Sequence, residues 1–252
     1  MMKLNELCDW LWGVFGDYTC NDESNNGLQV EGAAEVKKVT FAVDACLETI
    51  EKAAAQGADM LFVHHGLSWG NGFKRLTGTD AARFRALFNS NLSLFAMHLP
   101  LDAHKEIGNN VVLAKRLGLK VTSTFYEYHG MDIGFFCKLD APMPLAELLE
   151  RANSNVSANA SLTDNTQGIT HGVALVSGGG DFAMEKCREV GADCLLTGEF
   201  RHKFWHYAKE EGVSIIATGH YDSENTGVKA LMAKVQAELP LETVFIEAPT
   251  GL

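Results

Sequence analysis

Two stretches of this chain align without a gap, "VTFAVDACLETIEKAAAQGADMLFVHHG" from Val39 and "VALVSGGGDFAMEKCREVGADCLLTGEF" from Val173. Glu51-Lys52 falls on Glu185-Lys186, and the "GAD" at Gly57 falls on the "GAD" at Gly191. Each copy reads as an apolar strand, a turn carrying Gly or Asp, an amphipathic helix, a glycine stop and a second apolar strand. The repeat resumes at another offset. "LSLFAMHLPLD" (92–102) and "VSIIATGHYDSE" (213–224) both end a strand in His-x-x-x-acid, as His98 and Asp102 and as His220 and Glu224. Strands alternating with helices predict an α/β fold with mostly parallel sheets, built as two related lobes. The first repeat is expected over 1–128 and the second over 129–252. Between them, "VTSTFYEYHGMDIGFFCKL" reads as one or two strands around the turn residues His129-Gly130.

In open α/β sheets, function collects at the carboxyl ends of the strands. His64, His65, His98, Asp102, His220 and Glu224 all follow a strand directly. Adjacent His64 and His65 cannot share a face inside a strand, because successive side chains point oppositely. At a strand end turned by Gly66 the two rings splay toward two points, which suits two neighbouring metal ions. Asp102 and Glu224 add oxygen donors, one of which can bridge two cations, and His220 adds a third imidazole. Such a set suits zinc, manganese, iron or nickel rather than calcium or a thiolate site. A histidine at a strand end is also commonly a satisfied structural residue. The second His-x-x-x-acid at the matching place weighs toward the metal.

Other residues admit two readings each. Ser177–Gly180 ("SGGG") follows a strand and precedes a helix, so it cradles a phosphate or makes a tight turn. Glu199, Arg201, His202 and Lys203 of "TGEFRHK" occupy the second repeat's counterpart of His64-His65. Glu199 is a proton-handling group or a helix N-terminal carboxylate. Trp69 stacks on a ligand ring or packs in a core. Lys74, Arg75 and Lys105 read as solvated charges.

The net charge of −11, from 32 acids against 21 bases, disfavours a nucleic-acid-binding surface. Glu6 and Asp9 interrupt the first apolar run, which lacks a cleavage pattern; Leu4, Leu7, Leu11 and Val14 fit a helix face instead. No apolar run approaches the ~18 residues a spanning helix needs, so a cytoplasmic protein is expected. The six cysteines show no CxxC pair and read as small core residues.

"NNGLQVEG", "VDACLETI", "HHGLSWG", "HLPLDAHKEIGNN", "VALVSGGG", "LLTGEF" and "GHYDSEN" occur in an order that resembles the GTP cyclohydrolase 1 type 2 homologue family, the Nif-three-like or YbgI-type proteins. The resemblance spans essentially the whole chain. It implies interlocked α/β lobes in the compact form that lacks the inserted domain, two divalent metals per chain on His64, His65, Asp102, His220 and Glu224, and a toroidal homohexamer. The function expected from it is metal-dependent hydrolysis of a nucleotide or a related cyclic or phosphorylated small molecule. On the chemistry of the residues themselves, His98 and Glu199 are the candidate proton shuttles. Trp69, Arg201 and His202 are candidate contacts to an anionic substrate. The alternative is a non-enzymatic metal-binding or assembly protein.

Overall fold

The computed structural model describes residues 1–18 and 20–252. The chain divides into two compact units, Met1–Leu101 with Val228–Ala248, and Asp102–Gly227 with Pro249–Leu252.

The first unit holds a five-stranded sheet in the order Glu242–Phe245, Lys38–Asp44, Met60–His65, Ser93–Ala96, Gly27–Val30. The first four strands run parallel, and Gly27–Val30 adds antiparallel at the edge. "KVTFAVD" and "MLFVHH" are nearly unbroken apolar runs because both faces of these strands are covered, as is usual for central parallel strands. On one face Ala42, Leu61, Val63, Leu94 and Ala96 pack with Ile50, Ala53, Phe84 and Leu87. Phe41, Phe62 and Phe95 sit opposite one another in register on the other face, with centroids 5.5 and 5.8 Å apart. The helix Leu47–Ala55 buries Thr49, Ile50 and Ala53, one face at helical spacing. In the N-terminal helix Leu4–Phe15, Phe15 rather than Val14 takes the last buried position, continuing the stride of Leu4, Leu7 and Leu11.

The second unit holds a six-stranded sheet in the order Ser123–Tyr128, Met131–Pro144, Ile169–Val176, Cys194–Thr197, Ser214–Ala217, Ser161–Thr163. Its three parallel strands, Ile169–Val176, Cys194–Thr197 and Ser214–Ala217, correspond to Lys38–Asp44, Met60–His65 and Ser93–Ala96. Each triplet also carries one antiparallel strand beside its third member. The sequence repeat is therefore a repeat of topology. Gly57 and Gly191 close the matching helices in the left-handed region, with φ of +67° and +84°.

Strand alternation divides the second core cleanly. Val173, Leu175, Cys194, Leu196 and Ile216 join one cluster, while Ala174, Leu195 and Ile215 join another with Met184, Cys187 and Ala208. Cys137, Cys187 and Cys194 are buried, and none of the six cysteines is in a disulfide. The expected segment around His129-Gly130 is a hairpin, Ser123–Tyr128 to Met131–Pro144, whose turn residues have φ of +54° and +84°. Two left-handed residues in succession match the twist of paired strands. No helix among the described residues is long and apolar enough to cross a membrane.

Phe62 is fully buried at the middle of the aromatic row. Phe62→Ala should lower the unfolding free energy by about 3–5 kcal/mol in denaturant titration. A loss below about 1 kcal/mol would contradict this packing.

Candidate metal centre

The carboxyl ends of the first unit's strands gather three imidazoles. His64 and His65 end the strand Met60–His65, and His98 follows Ser93–Ala96, its parallel neighbour. Their ring centroids are 4.6, 5.0 and 5.5 Å apart, and a ring nitrogen from each lies within 4.8 Å of the others.

Each ring is held at Nδ1 by an oxygen. His64 Nδ1 donates to the Met97 carbonyl at 2.9 Å, and His65 Nδ1 to Asp44 Oδ1 at 2.8 Å. His98 Nδ1 donates to Asp22 Oδ1 at 2.8 Å. A carbonyl or carboxylate can only accept, so these contacts fix the tautomer with Nε2 as the lone-pair nitrogen.

Asp22 is the most heavily bonded of these anchors. Beyond His98 it accepts the N–H groups of Ser24 and Leu99, both at 3.0 Å, and Asn26 Nδ2 at 2.9 Å. Burial alone would raise its carboxyl pKa; the hydrogen bond and charge of His98, with the Ser24 and Asn26 donors, outweigh that and hold it at about 2. Trp69 borders the cluster. Its Nε1 donates to the Gly66 carbonyl at 2.9 Å and its ring stands edge-on to His98 at 5.0 Å.

The second unit gathers carboxylates. Asp102 Oδ1 accepts Asn109 Nδ2 at 2.8 Å and Ser177 Oγ at 3.1 Å. Glu224 lies one helical turn beyond His220 in the helix His220–Glu238, and its Oε2 is 3.0 Å from His220 Nε2. Carboxylate oxygens of Asp102 and Glu224 lie within 4.8 Å of one another, and both residues are buried. Two like charges this close oppose each other by a few kcal/mol at an effective dielectric of about 20. A divalent cation relieves that repulsion. His220 is gripped from its other side by Glu199 Oε1, 2.5 Å from Nδ1. Burial would lower the His220 pKa, but the hydrogen bonds and charges of Glu224 and Glu199 push it up to about 9.

Gly178, with φ of +59°, gives this group its space. A Cβ there would overlap Glu224 Oε1 and stand 3.1 Å from His220 Nε2. The same turn decides between the two readings of "SGGG". Ser177 N–H donates to Asn110 Oδ1 at 2.7 Å and Gly178 N–H to Ser223 Oγ at 2.9 Å, so both amides are spent inside the protein. The segment is a tight turn, which leads through the 3-10 helix Gly180–Ala183 into the helix Met184–Val190.

Imidazoles with fixed tautomers, one of them fully buried, together with oxygen donors and no thiol make a donor set that fits a borderline divalent ion. His64, His65 and His98 could hold one, and Asp102, His220 and Glu224 offer further donors. Arg201 is committed to another carboxylate. Its guanidinium is paired with the fully buried Asp181, while Glu199 and Arg201 both line a cavity of about 370 Å³ in the second unit. His202 is exposed, its ring 6.5 Å from that of His206. The anchors Asp22, Asp44 and Asn109 escaped the sequence reading, and Ser177 entered it only as part of a glycine turn, not as a partner of Asp102. Only Asp44, at a strand end in the repeat, carried a visible signal.

A family model for DUF34/NIF3 (NGG1p interacting factor 3) matches residues 2–250. The chain is 46% identical to the "GTP cyclohydrolase 1 type 2 homolog" of Pyrococcus horikoshii over 253 residues, covering all of both proteins. Among solved structures it is similar to the protein ybgI, of unknown function, with a TM-score of 0.92 and 30% identity over the whole of both chains. A protein from Thermus thermophilus gives a TM-score of 0.88 and 38% identity, again over both full chains.

Because Asp22 sits below the ordinary carboxyl value of 3.8, its contribution to stability is present above that pH and is lost as pH falls toward about 2. Asp22→Asn should therefore melt lower than the parent at pH 6 in chelator, and the gap should close between pH ~4 and ~2. A gap that does not change with pH would contradict the account of this carboxylate.

Proposed function

The chain belongs to the DUF34/NIF3 family, and from that premise we propose that it is a dinuclear divalent-metal protein acting as a hydrolase on a nucleotide or a related phosphorylated small molecule. His64, His65, Asp102, His220 and Glu224 would hold two ions, of zinc, manganese, iron or nickel. The observation that carries the reading is the set of imidazoles with Nδ1 committed to oxygen, which leaves ligand nitrogens of one defined kind. The names borne by similar proteins, GTP cyclohydrolase 1 type 2 homologs, support a nucleotide as substrate class.

When bound, two divalent ions lower the pKa of water and neutralise negative charge that develops on the attacked centre. The chain's own groups do the rest. His98, held by Asp22, presents Nε2 to take up or deliver a proton. Glu199 grips His220 and can accept its Nδ1 proton. Trp69 walls the imidazoles with an aromatic edge. Two divalent ions less two carboxylates leave a local charge of about +2, enough to admit an anion into a protein of net charge −11.

The same reading includes a cytoplasmic, toroidal homohexamer. Phe73, Leu76 and Phe88, exposed by 38, 49 and 62% in the first unit, supply apolar surface of the kind that assembly covers.

Protein purified without chelator should carry about two divalent ions per chain by elemental analysis, and His64→Ala or Glu224→Ala should lose at least one. Hydrolysis of nucleotides or phosphate esters should fall by about 100-fold or more in the same variants. Full occupancy with no turnover on any of these substrates would favour a metal-binding assembly protein. Little metal, unchanged in the variants and not restored by added zinc, manganese, iron or nickel, would overturn the centre itself.

Binding should also release a proton from His220, whose pKa is raised to about 9. Metal affinity should accordingly rise with pH from 6 to about 9 in competition titrations with a chelator of known pH dependence. A flat profile would remove His220 from the ligand set.

A further inference from the structure

We infer that the first unit carries a second binding site, a pocket for a flat, uncharged heteroaromatic ring of nucleobase size, walled by Trp12 and read by Ser24. It deepens the nucleotide reading above and rests on it for the choice of nucleosides as probes.

The pocket has a volume of about 310 Å³, at the lower end of small-molecule sites. Its apolar lining comes from Trp12, Tyr18 and Pro100. Trp12 is 41% exposed, yet its ring is braced: Phe95 meets it edge-on at 6.2 Å, and a Cβ at Gly27 would come within 2.8 Å of Cζ2. A rigid indole left partly open offers a stacking surface to any π ring.

The polar groups of the pocket sort into spent and unspent. Asp22 is committed to four donors, and it is the only ionised group among the described lining residues. Asn26 is committed at both ends, its Nδ2 to Asp22 Oδ2 at 2.9 Å and its Oδ1 to the His98 N–H at 2.8 Å. Asn25 gives its Nδ2 to Ser68 Oγ at 2.7 Å and keeps an amide oxygen. Ser24 differs from all of these. The residue is only 4% exposed, and its Oγ has no hydrogen-bond partner among the described residues. A buried hydroxyl in that state is costly, and because the oxygen is closed off from solvent, a ligand atom completes it once the side chain turns about χ1 toward the cavity.

These features select the ligand class. With no lysine, arginine or histidine in the described lining, a phosphate finds no counter-charge. An aliphatic chain would leave the Ser24 hydroxyl unmet, and the puckered ring of a free sugar would cover less of the indole face than a flat ring does. A heteroaromatic ring satisfies both, stacking on Trp12 while a ring nitrogen or exocyclic group meets a hydroxyl that can donate or accept. The occupant would lie one carboxylate away from the imidazoles, since Asp22 lines the pocket and holds His98.

Titration calorimetry of metal-free protein with adenosine, guanosine, cytidine and uridine tests this, with ribose and inorganic phosphate as controls. At least one nucleoside should bind saturably at one per chain, and neither control should bind. Trp12→Ala should weaken that binding about tenfold or more, the size of one lost base–aromatic stack. Ser24→Ala should weaken it about fivefold without lowering the melting temperature, because it deletes a hydroxyl that the empty protein does not satisfy. Should Trp12→Ala fail to fold, Trp12→Leu takes its place. No saturable nucleoside binding, or equal binding by both variants and the parent, would overturn the pocket. Nucleoside binding without any hydrolysis would overturn the hydrolase reading alone, and metal-dependent hydrolysis with no nucleoside binding would overturn the pocket alone.

Discussion

An imidazole on a strand end is useful to a metal only if something decides which nitrogen faces outward. Here that decision is made four times by an oxygen at Nδ1: the Met97 carbonyl for His64, Asp44 for His65, Asp22 for His98 and Glu199 for His220. Three of those acceptors are carboxylates, which also make the ring a better electron donor. Much of the local architecture follows from keeping them in place. Asp44 ends the strand beside His65 and pairs with it in register. Asp22 lies in an irregular stretch of chain, fixed there by backbone N–H groups and Asn26.

The strand ends that carry these rings are produced by the repeat. A parallel triplet with helices between its members delivers successive chain turns to one edge of the sheet, and the chain builds such a triplet in each unit. The two copies have diverged in what they present there. The second strand of the first triplet ends in imidazoles, and that of the second ends in Thr197 followed by Gly198 and Glu199, while a histidine and a buried carboxylate lie on the helix His220–Glu238 after the third strand. Gly178 and the spent amides around it mark where the second copy exchanged a possible phosphate cradle for room beside Glu224.

The features with a period were legible in the sequence. The apolar runs, the "GAD" stops and the His-x-x-x-acid spacing led to the strands, the helices and the donor residues. The turn at His129-Gly130 was equally readable, since two consecutive left-handed residues need that kind of pair. What escaped notice lacks any period. Asp22 lies in a loop, and Asn109 and Ser177 act through bonds to Asp102 that no sequence pattern marks. The strand Glu242–Phe245 is only four residues long, and its place next to Lys38–Asp44 depends on a pairing that no local pattern announces. Arg201 belongs with these aperiodic contacts, since nothing in the sequence marks the bond of its guanidinium to the buried Asp181.

Anomalous X-ray scattering at the metal edge, from crystals of protein loaded with manganese or zinc, bears most directly on the central claim. The account predicts two ordered peaks per chain, with ring nitrogens of His64, His65 and His220 and oxygens of Asp102 and Glu224 at bonding distance. A single peak held by His64, His65 and His98 alone, or peaks only at exposed side chains such as His202 and His206, would contradict it.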